Sequence, residues 1–156
     1  MKTLIIYKSY HRMNTEKIAK VMAEVLNAKL TKVEDARPEE IPGYDLIGFG
    51  SGIYGYKHHK SLFALIETLP LAGKKVFVFS TSGNFRERHH LPIKEKLAEK
   101  GCTIVGEFSC FGEYSPLGFN LNLNGPLALI AGKNKGHPDG KDLENARVFA
   151  KGLLSA

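Results

Sequence analysis

Three stretches of the sequence place hydroxyl, amide and glycine residues directly after apolar runs, where they could contact a ligand. They are residues 9–15, 50–59 and 80–84. The first stretch carries Ser9, His11, Asn14 and Thr15 ahead of a helical pattern. These side chains and the free backbone N–H groups of a helix start donate hydrogen bonds, so they favour an anion such as a phosphate. Ordinary helix capping by Asn14 or Thr15 remains an alternative explanation.

The other two stretches have the chemistry of a site for a flat ring. Glycines within residues 50–59 let a ligand approach the backbone closely, and Tyr54 and Tyr56 offer flat surfaces. The hydroxyls and backbone donors of residues 80–84 can bond to the polar edge of a heterocycle. Taken alone, these stretches are equally consistent with a glycine loop and a hydrophilic turn.

The hydrophobic pattern predicts the elements that position these residues. Apolar runs predict strands at residues 3–7, 29–33, 45–50, 75–79 and 102–110, and helical periodicity predicts helices at 15–27, 61–69, 91–100 and 142–154. Alternating strands and helices form an α/β fold, a parallel sheet with helices on both faces, and five strands fit the doubly wound order 2-1-3-4-5. Ligands bind such sheets at the carboxyl ends of the strands, here between strands one and three. The three stretches are therefore expected to meet at that edge.

Three common phosphate-binding patterns are absent from the first stretch. The Gly-Lys-Ser/Thr of nucleoside triphosphate loops and the Gly-x-Gly-x-x-Gly of dinucleotide sites do not occur there. A phospho-acceptor domain needs an acidic cluster at the ends of strands one and three, but these ends are Ile6-Tyr7-Lys8 and Phe49-Gly50-Ser51.

Length and charge exclude several classes of function. The 156 residues, 43% of them apolar, suit one domain over residues 1–156. The net charge of +6 comes from scattered lysines without a run of five basic residues, so nucleic-acid binding is not expected. No apolar run approaches the roughly 20 residues of a membrane span, and the apolar start is too short for a signal peptide.

The cysteines predict a reducing compartment. On one extended strand Cys102 and Cys110 would lie roughly 26 Å apart, at ~3.3 Å per residue, which is too far for a disulfide. Reduced thiols indicate a cytoplasmic protein. A redox role for Cys110 stays open as the less favoured interpretation.

Two histidine pairs, His58-His59 and His89-His90, raise the possibility of a metal site. Adjacent residues project in different directions, and carboxylate or thiolate partners at ligand spacing are missing. The pairs are therefore expected to be surface or anion-contacting imidazoles, with no metal.

Residues 111–140 form an unusually long connection before the last helix, and such connections are usually functional. Phe119, Leu121 and Leu123 alternate with asparagines, and residues 127–130 are apolar. This insertion is expected to pack on the sheet edge or on a second copy of the chain, which makes a homodimer possible.

Over its whole length the chain resembles the flavodoxin family. Ser9-x-His11-x-x-Asn14-Thr15 is similar to a variant of the family's phosphate loop, one residue longer and with Arg12 and Met13 in place of the usual glycine. Tyr54 and Tyr56 lie where the family stacks an aromatic ring on flavin, and Ser80-Thr81-Ser82-Gly83 where it contacts the pyrimidine edge. Asn134-Lys135-Gly136-His137-Pro138 also resembles a feature of some short flavodoxin-like proteins.

The resemblance implies a flavodoxin-like three-layer sandwich that binds flavin mononucleotide (FMN). Ser9, His11, Asn14 and Thr15 would hold the phosphate, and Tyr54 would stack on the ring near Gly55. The full set of expected FMN contacts is Ser9, His11, Arg12, Met13, Asn14, Thr15, Ser51, Gly52, Ile53, Tyr54, Gly55, Thr81, Ser82, Gly83, Asn84 and Phe85.

Three functions are compatible with this set of residues. The leading one is an electron carrier that docks redox partner proteins with acidic faces, because basic residues occupy the binding loops. The second is an FMN-dependent oxidoreductase acting on a quinone or a tetrapyrrole precursor, with the insertion covering the substrate. The third is a flavin-free binding module on the same fold, which Met13 in the phosphate loop would favour.

The basic binding loops predict an unusual reduction potential. The binding loops carry seven basic residues and no carboxylate among them: Lys8, His11, Arg12, Lys57, His58, His59 and Lys60. Because positive charge favours the anionic reduced flavin, the potential of the fully reduced form should be less negative than in an acidic flavodoxin. Potentiometry on the FMN-loaded protein measures this value, and a very low potential would refute the expectation.

Overall fold

Buried strands and amphipathic helices alternate along the chain. The computed structural model describes residues 1–9, 14–83, 87–112 and 136–155. The strands are β1 (Thr3–Lys8), β2 (Lys29–Lys32), β3 (Leu46–Tyr54), β4 (Lys57–His58), β5 (Lys75–Ser82) and β6 (Thr103–Phe111). The helices are α1 (Asn14–Leu26), α2 (Lys60–Thr68), α3 (Leu91–Glu99) and α4 (Gly140–Leu153), with 3-10 turns at Val33–Asp35, Pro38–Gly43 and Glu87–His90.

The long strands form a parallel sheet in the order β2-β1-β3-β5-β6. The two-residue β4 lies off this path and pairs antiparallel with the end of β3. With β4 set aside, this is the order 2-1-3-4-5 expected from the sequence. The predicted flavodoxin-like α/β fold is thus confirmed, and β1 and β3 are neighbours at the point where the winding reverses.

Two hydrophobic cores flank the sheet because successive strand residues point to opposite faces. On one face Ile5, Tyr7, Phe77 and Phe79 pack with the inner residues of α1 and α4. On the other face Ile6, Phe49, Val76 and Val78 pack with those of α2 and α3. The inner face of α4 packs on the first of these cores, since Ala146, Ala150 and Leu153 are buried and Leu143 and Phe149 pack beside them.

β3 and β5 extend farther than the apolar pattern predicts. The predicted strands end at residues 50 and 79, yet Ser51 pairs with Ser80 and Gly52 with Thr81. Ladder hydrogen bonds use backbone groups and do not depend on apolar side chains. The start of the second polar stretch is therefore strand, and its end folds back as β4.

The predicted insertion falls mainly outside the described residues. β6 continues to Phe111, and the description resumes at Gly136, just before α4. The expectations for Phe119, Leu121, Leu123 and residues 127–130 lie outside the described residues. Among the residues that are described, no helix has both the length and the apolar character needed to cross a bilayer.

Glycines in β3 make room for aromatic rings from β5. Gly48 pairs with Phe77 and Gly50 with Phe79, and both phenylalanines are fully buried. A Cβ atom at either glycine would lie 2.2 Å from a ring carbon of its phenylalanine. The two rings, stacked at 6.1 Å between centroids, thus lie directly over the β3 backbone.

The Gly48→Ala variant should be less stable by about 1–3 kcal/mol, the usual cost of overpacking a filled core. Urea unfolding followed by circular dichroism measures the change in the free energy of unfolding. Gly43→Ala is the matched control, because nothing lies within 4 Å of a Cβ atom there. The control should stay within about 0.5 kcal/mol of the wild type. Equal stability of the two variants would contradict the packing argument.

Candidate functional site

The first polar stretch leads from the carboxyl end of β1 into the start of α1. Ser9 Oγ accepts a hydrogen bond from the Glu16 backbone N–H at 3.3 Å, so it satisfies a donor in the first turn of α1. Asn14 and Thr15 begin the helix and are buried. The capping role expected for Asn14 or Thr15 is thus filled in part by Ser9. His11, Arg12 and Met13 lie outside the described residues.

The first and third polar stretches meet at one point. Thr15 Oγ1 and Thr81 Oγ1 lie 2.9 Å apart in a buried hydrogen bond that links the start of α1 to the end of β5. Gly112, just past β6, packs against both of these elements. A Cβ atom there would lie 2.9 Å from Asn14 Nδ2 in α1 and 3.3 Å from Thr81 Cβ in β5. Gly112 was not expected in the site. Its signal in the sequence was only a glycine directly after a strand.

The second polar stretch forms a β-hairpin rather than an open loop. Ile53 pairs with His58 and Tyr54 with Lys57 across a two-residue turn. The turn residues Gly55 and Tyr56 both have positive φ, 59° and 67°, as in the type I′ turns that suit the twist of hairpins. Tyr56 adopts a backbone conformation that favours glycine and is 75% exposed at the tip.

Tyr54 lies over Gly52 in the hairpin. A Cβ atom at Gly52 would approach the Tyr54 hydroxyl oxygen to 3.1 Å. The Tyr54 ring also meets the His59 ring edge-on, with centroids 5.2 Å apart. His59 is held in turn, because its Nδ1 accepts a hydrogen bond from the Ser61 backbone N–H at 3.0 Å and so caps α2. Tyr54 is half-buried and supported on both sides.

Other residues expected to contact FMN already make hydrogen bonds within the protein. Ser51 is fully buried, and its Oγ accepts a hydrogen bond from the His59 backbone N–H at 3.0 Å, so this hydroxyl closes the hairpin. Ser82 and Gly83 are half-buried at the end of the third stretch, where the Ser82 carbonyl accepts from the Gly112 N–H at 3.0 Å. Asn84 and Phe85 lie outside the described residues.

The charge around the loops is less basic than the sequence suggests. Lys8 Nζ lies 3.5 Å from Glu34 Oε2, a carboxylate brought in by the turn after β2. Burial lowers the pKa of His59, so its charge is weakened. Lys57 and Lys60 remain exposed. The expected cluster without carboxylates is therefore partly neutralised, because residues distant in sequence pack beside it.

Three of the histidines in the two pairs are buried, so the expectation of surface imidazoles is wrong for them. His58, His89 and His90 are 0%, 5% and 1% exposed. His58 lies on β4, where its Nε2–H donates to the Phe79 carbonyl oxygen at 2.9 Å. Burial lowers the pKa of His58 to about 3 and that of His90 to about 4, so both rings are neutral. The sequence did not signal their burial, because histidine is polar and the hairpin was not predicted.

Cys110 is buried, whereas Cys102 is half-buried. Burial raises the pKa of the Cys110 thiol to about 12, with the carboxylates of Asp142 and Asp139 adding to the effect. A thiol with such a pKa carries almost no thiolate at neutral pH, which argues against the redox role left open for Cys110. Both cysteines are free thiols.

A small cavity lies beside the first stretch. Its volume is about 60 Å³, and Tyr7, Lys8, Ser9, Lys32 and Glu34 line it. A larger groove of about 690 Å³ runs along the edge strand β2 and the turns that follow it. The larger groove lies away from the hairpin and the third stretch, so its size alone does not make it the ligand site.

The strand order and the meeting of the three stretches at the β1/β3 end of the sheet define a doubly wound α/β protein with its candidate site at the switch point. A family model described as a flavodoxin domain matches residues 4–117. The chain belongs to the flavodoxin family.

Relatives of this chain are similar over its whole length. An uncharacterized protein of Methanocaldococcus jannaschii is 44% identical over 156 residues, covering 99% of each chain. Among solved structures, flavodoxin 2 from Bacillus cereus is 24% identical with a TM-score of 0.69, covering 99% of both chains. A flavodoxin from the domain Archaea is 17% identical with a TM-score of 0.69, covering 99% of this chain and 97% of the other. At these identities the two structures establish the fold alone.

The buried neutral histidines predict a loss of stability in mild acid. Unfolded histidine has a pKa near 6.5, whereas the folded values are about 3 for His58 and about 4 for His90. Below pH 6.5 the unfolded chain therefore binds more protons, and the folded state is destabilised as pH falls. At pH 5 the loss relative to pH 7.5 should be about 2 kcal/mol for each histidine.

Urea unfolding at pH 7.5 and pH 5 measures this loss. The double variant His58→Gln/His90→Gln should lose most of the difference between the two pH values. His137→Gln is the control, because Asp142 raises the pKa of this half-buried histidine and their ion pair stabilises the fold at low pH. Its loss should therefore leave the destabilisation in acid in place or increase it. An unchanged pH dependence in the double variant would contradict the assignment of neutral buried rings.

Proposed function

We propose that this protein binds FMN non-covalently and transfers electrons between partner proteins. Membership of the flavodoxin family supports the class of function, since the family generally binds FMN. The observation that carries the proposal for this chain is the hydrogen bond between Thr15 and Thr81. It joins the donor-rich start of α1 to the end of β5, where Thr81 is the register partner of Gly52 in the strand that leads into the hairpin.

The donors described at the start of α1 suit a phosphate group. Ser9, Asn14 and Thr15 bring a hydroxyl, an amide and a hydroxyl to the positive end of the helix dipole. Glu16 is the acidic residue of that first turn, and its carboxylate accepts a hydrogen bond from the Tyr7 hydroxyl at 2.5 Å. Tyr7 contacts one oxygen of Glu16 and Lys20 lies near the other, so the negative charge of this carboxylate is partly offset.

The hairpin suits a flat ring. Gly55 leaves the backbone open where a side chain would stand, Gly52 lets the Tyr54 ring lie close to the backbone, and Tyr54 supplies an aromatic face braced by His59. Bound FMN would supply reversible uptake of electrons on its ring. The residues of this chain would bind the phosphate, orient the ring through Tyr54 and limit access of water along the hairpin.

Adding FMN to the purified protein tests the proposal. The expected result is a yellow complex with absorbance near ~450 nm, a property of the cofactor, and micromolar or tighter affinity. Tyr54→Ala should weaken FMN binding at least about tenfold, because it removes an aromatic contact and its buried area. Tyr56→Gly is the matched control in the same hairpin, and it should keep the affinity.

A colourless polypeptide that does not bind added FMN would refute the proposal and leave the flavin-free binding module. Equal losses of affinity in the Tyr54 and Tyr56 variants would refute the role given to Tyr54. Fluorescence quenching of FMN on binding measures all three affinities under identical conditions.

The proposed partners are redox proteins with acidic faces. The exposed residues around the hairpin and the start of α3 are Tyr56, Lys57, Lys60, Arg88 and Leu91. An exposed aromatic tip among cations suits a partner with carboxylates around an apolar centre. The same field should attract any anionic electron acceptor.

Electron transfer from the reduced protein to ferricyanide should therefore slow as ionic strength rises, because salt screens the attraction. The double variant Lys57→Glu/Lys60→Glu should weaken or reverse this salt dependence. Lys151→Glu changes an exposed charge near the far end of α4 and serves as the control. Stopped-flow measurement of the rate between low and high salt decides the point. Identical salt dependence in the two variants would contradict the proposed docking surface.

A further inference from the structure

Two buried imidazoles pack against β5, and one of them belongs to the hairpin that carries the candidate ring site. The His58 and His90 rings have centroids 5.0 Å apart, and both residues are almost fully buried. Nothing in the proposed binding of FMN uses them. Buried polar rings cost free energy unless their hydrogen bonds are satisfied, so their partners indicate what they do.

His90 is bonded to the strand that leads into the third polar stretch. Its Nε2 lies 2.6 Å from Ser80 Oγ and 3.1 Å from Ser109 Oγ. A serine hydroxyl can donate to a neutral imidazole or, after rotation, accept from a protonated one. Ser80 and Ser109 can therefore satisfy His90 in either charge state without a rearrangement of the fold.

The other nitrogen of His90 faces a carboxylate. His90 Nδ1 lies 3.6 Å from Glu107 Oε1, and Lys94 Nζ lies 2.6 Å from the second oxygen, Glu107 Oε2. Glu107 is 36% exposed on its side chain, so a proton from water can reach this edge of the site. A protonated His90 would donate to Glu107 at one nitrogen and to the serines at the other.

His58 has no comparable place for a second proton. Its Nε2–H donates to the Phe79 carbonyl, and its Nδ1, like that of His90, has no hydrogen-bond partner among the described residues. The difference is that the Glu107 carboxylate faces His90 Nδ1 at 3.6 Å. A charge on His58 would therefore be buried and unsatisfied at Nδ1. Of the two rings, His90 is the one built to bind a proton, and His58 fills the space between it and the hairpin.

The charged groups around His90 have opposing effects on its pKa. Glu107 on β6 favours the charged ring, whereas Lys94 on α3 and His89 beside it in the chain disfavour it, as burial does. His58 on β4 is neutral. In the absence of further negative charge the ring is neutral, and added negative charge nearby would favour its protonation.

We propose that His90 is a redox-linked proton site, which takes up a proton when the candidate ring site at the hairpin gains negative charge. This inference rests on the proposed binding of FMN. In the step, one electron passes from an external reductant to the bound flavin, and one proton passes from water to His90. The net charge of the site is unchanged, and Ser80 and Glu107 accept hydrogen bonds from the new imidazolium.

The first test observes His90 itself in the FMN-loaded wild-type protein. Nitrogen and carbon NMR shifts of the ring report its protonation between pH 4.5 and 7, in the oxidised protein and after reduction by dithionite. The protonated fraction of His90 at each pH in this range should rise on reduction. A protonated fraction that does not change overturns the proposal even though FMN is bound, whereas failure to bind FMN would refute the proposed function first.

The second test measures the reduction potential of the fully reduced form over the same pH range. Where His90 takes up one proton per electron, the reduction equilibrium constant should change by up to tenfold per pH unit, about 59 mV for one electron. His90→Gln keeps a polar group beside Ser80 but cannot titrate, so this part of the slope should vanish. His137→Gln removes a half-buried histidine just before α4 and should keep this part of the slope. A wild-type slope in His90→Gln overturns the proposal.

Discussion

A buried hydrogen bond from His58 Nε2–H to the Phe79 carbonyl oxygen ties the β3–β4 hairpin to the central strand β5. A hairpin of two short arms is marginal on its own, so its position depends on such contacts. This bond fixes the hairpin that carries Gly52 and Tyr54, and it commits the proton of His58 to one nitrogen. The position of the candidate ring site follows from this bond, whereas burial lowers the pKa of His58 and keeps its imidazole neutral.

Three serines on neighbouring strands form a row across this edge of the sheet. Ser51, Ser80 and Ser109 are register partners on β3, β5 and β6, and they point to the face covered by α2 and α3. Thr81, one residue later, points to the opposite face and meets Thr15 there. The alternation of a strand thus separates two tasks. One face stabilises the start of α1, the proposed anion site, and the other holds the hairpin and the histidines.

The packing under these groups is apolar and tight. Gly48 and Gly50 admit the Phe77 and Phe79 rings, which brings β5 and its carbonyl groups to a fixed height above β3. A rigid floor allows small polar contacts above it to keep their geometry. It also keeps water away from His58 and His90, and this exclusion lowers the pKa of each ring. The proposed proton site therefore depends on the core as much as on its own partners.

The sequence alone determined the fold class, the strand order and the three polar stretches, because hydrophobic periodicity and the rules of parallel sheets act locally and generally. It also indicated the family through residues 9–15, 50–56 and 80–83. It did not reveal the hairpin, the burial of His58 and His90, the ion pair of Lys8 with Glu34 or the contact of Gly112 with Thr81. Each of these joins residues far apart in the chain, and a polar residue carries no local sign of the partner that will bury it. Only the tertiary structure decided them, since burial and pairing depend on which elements pack together.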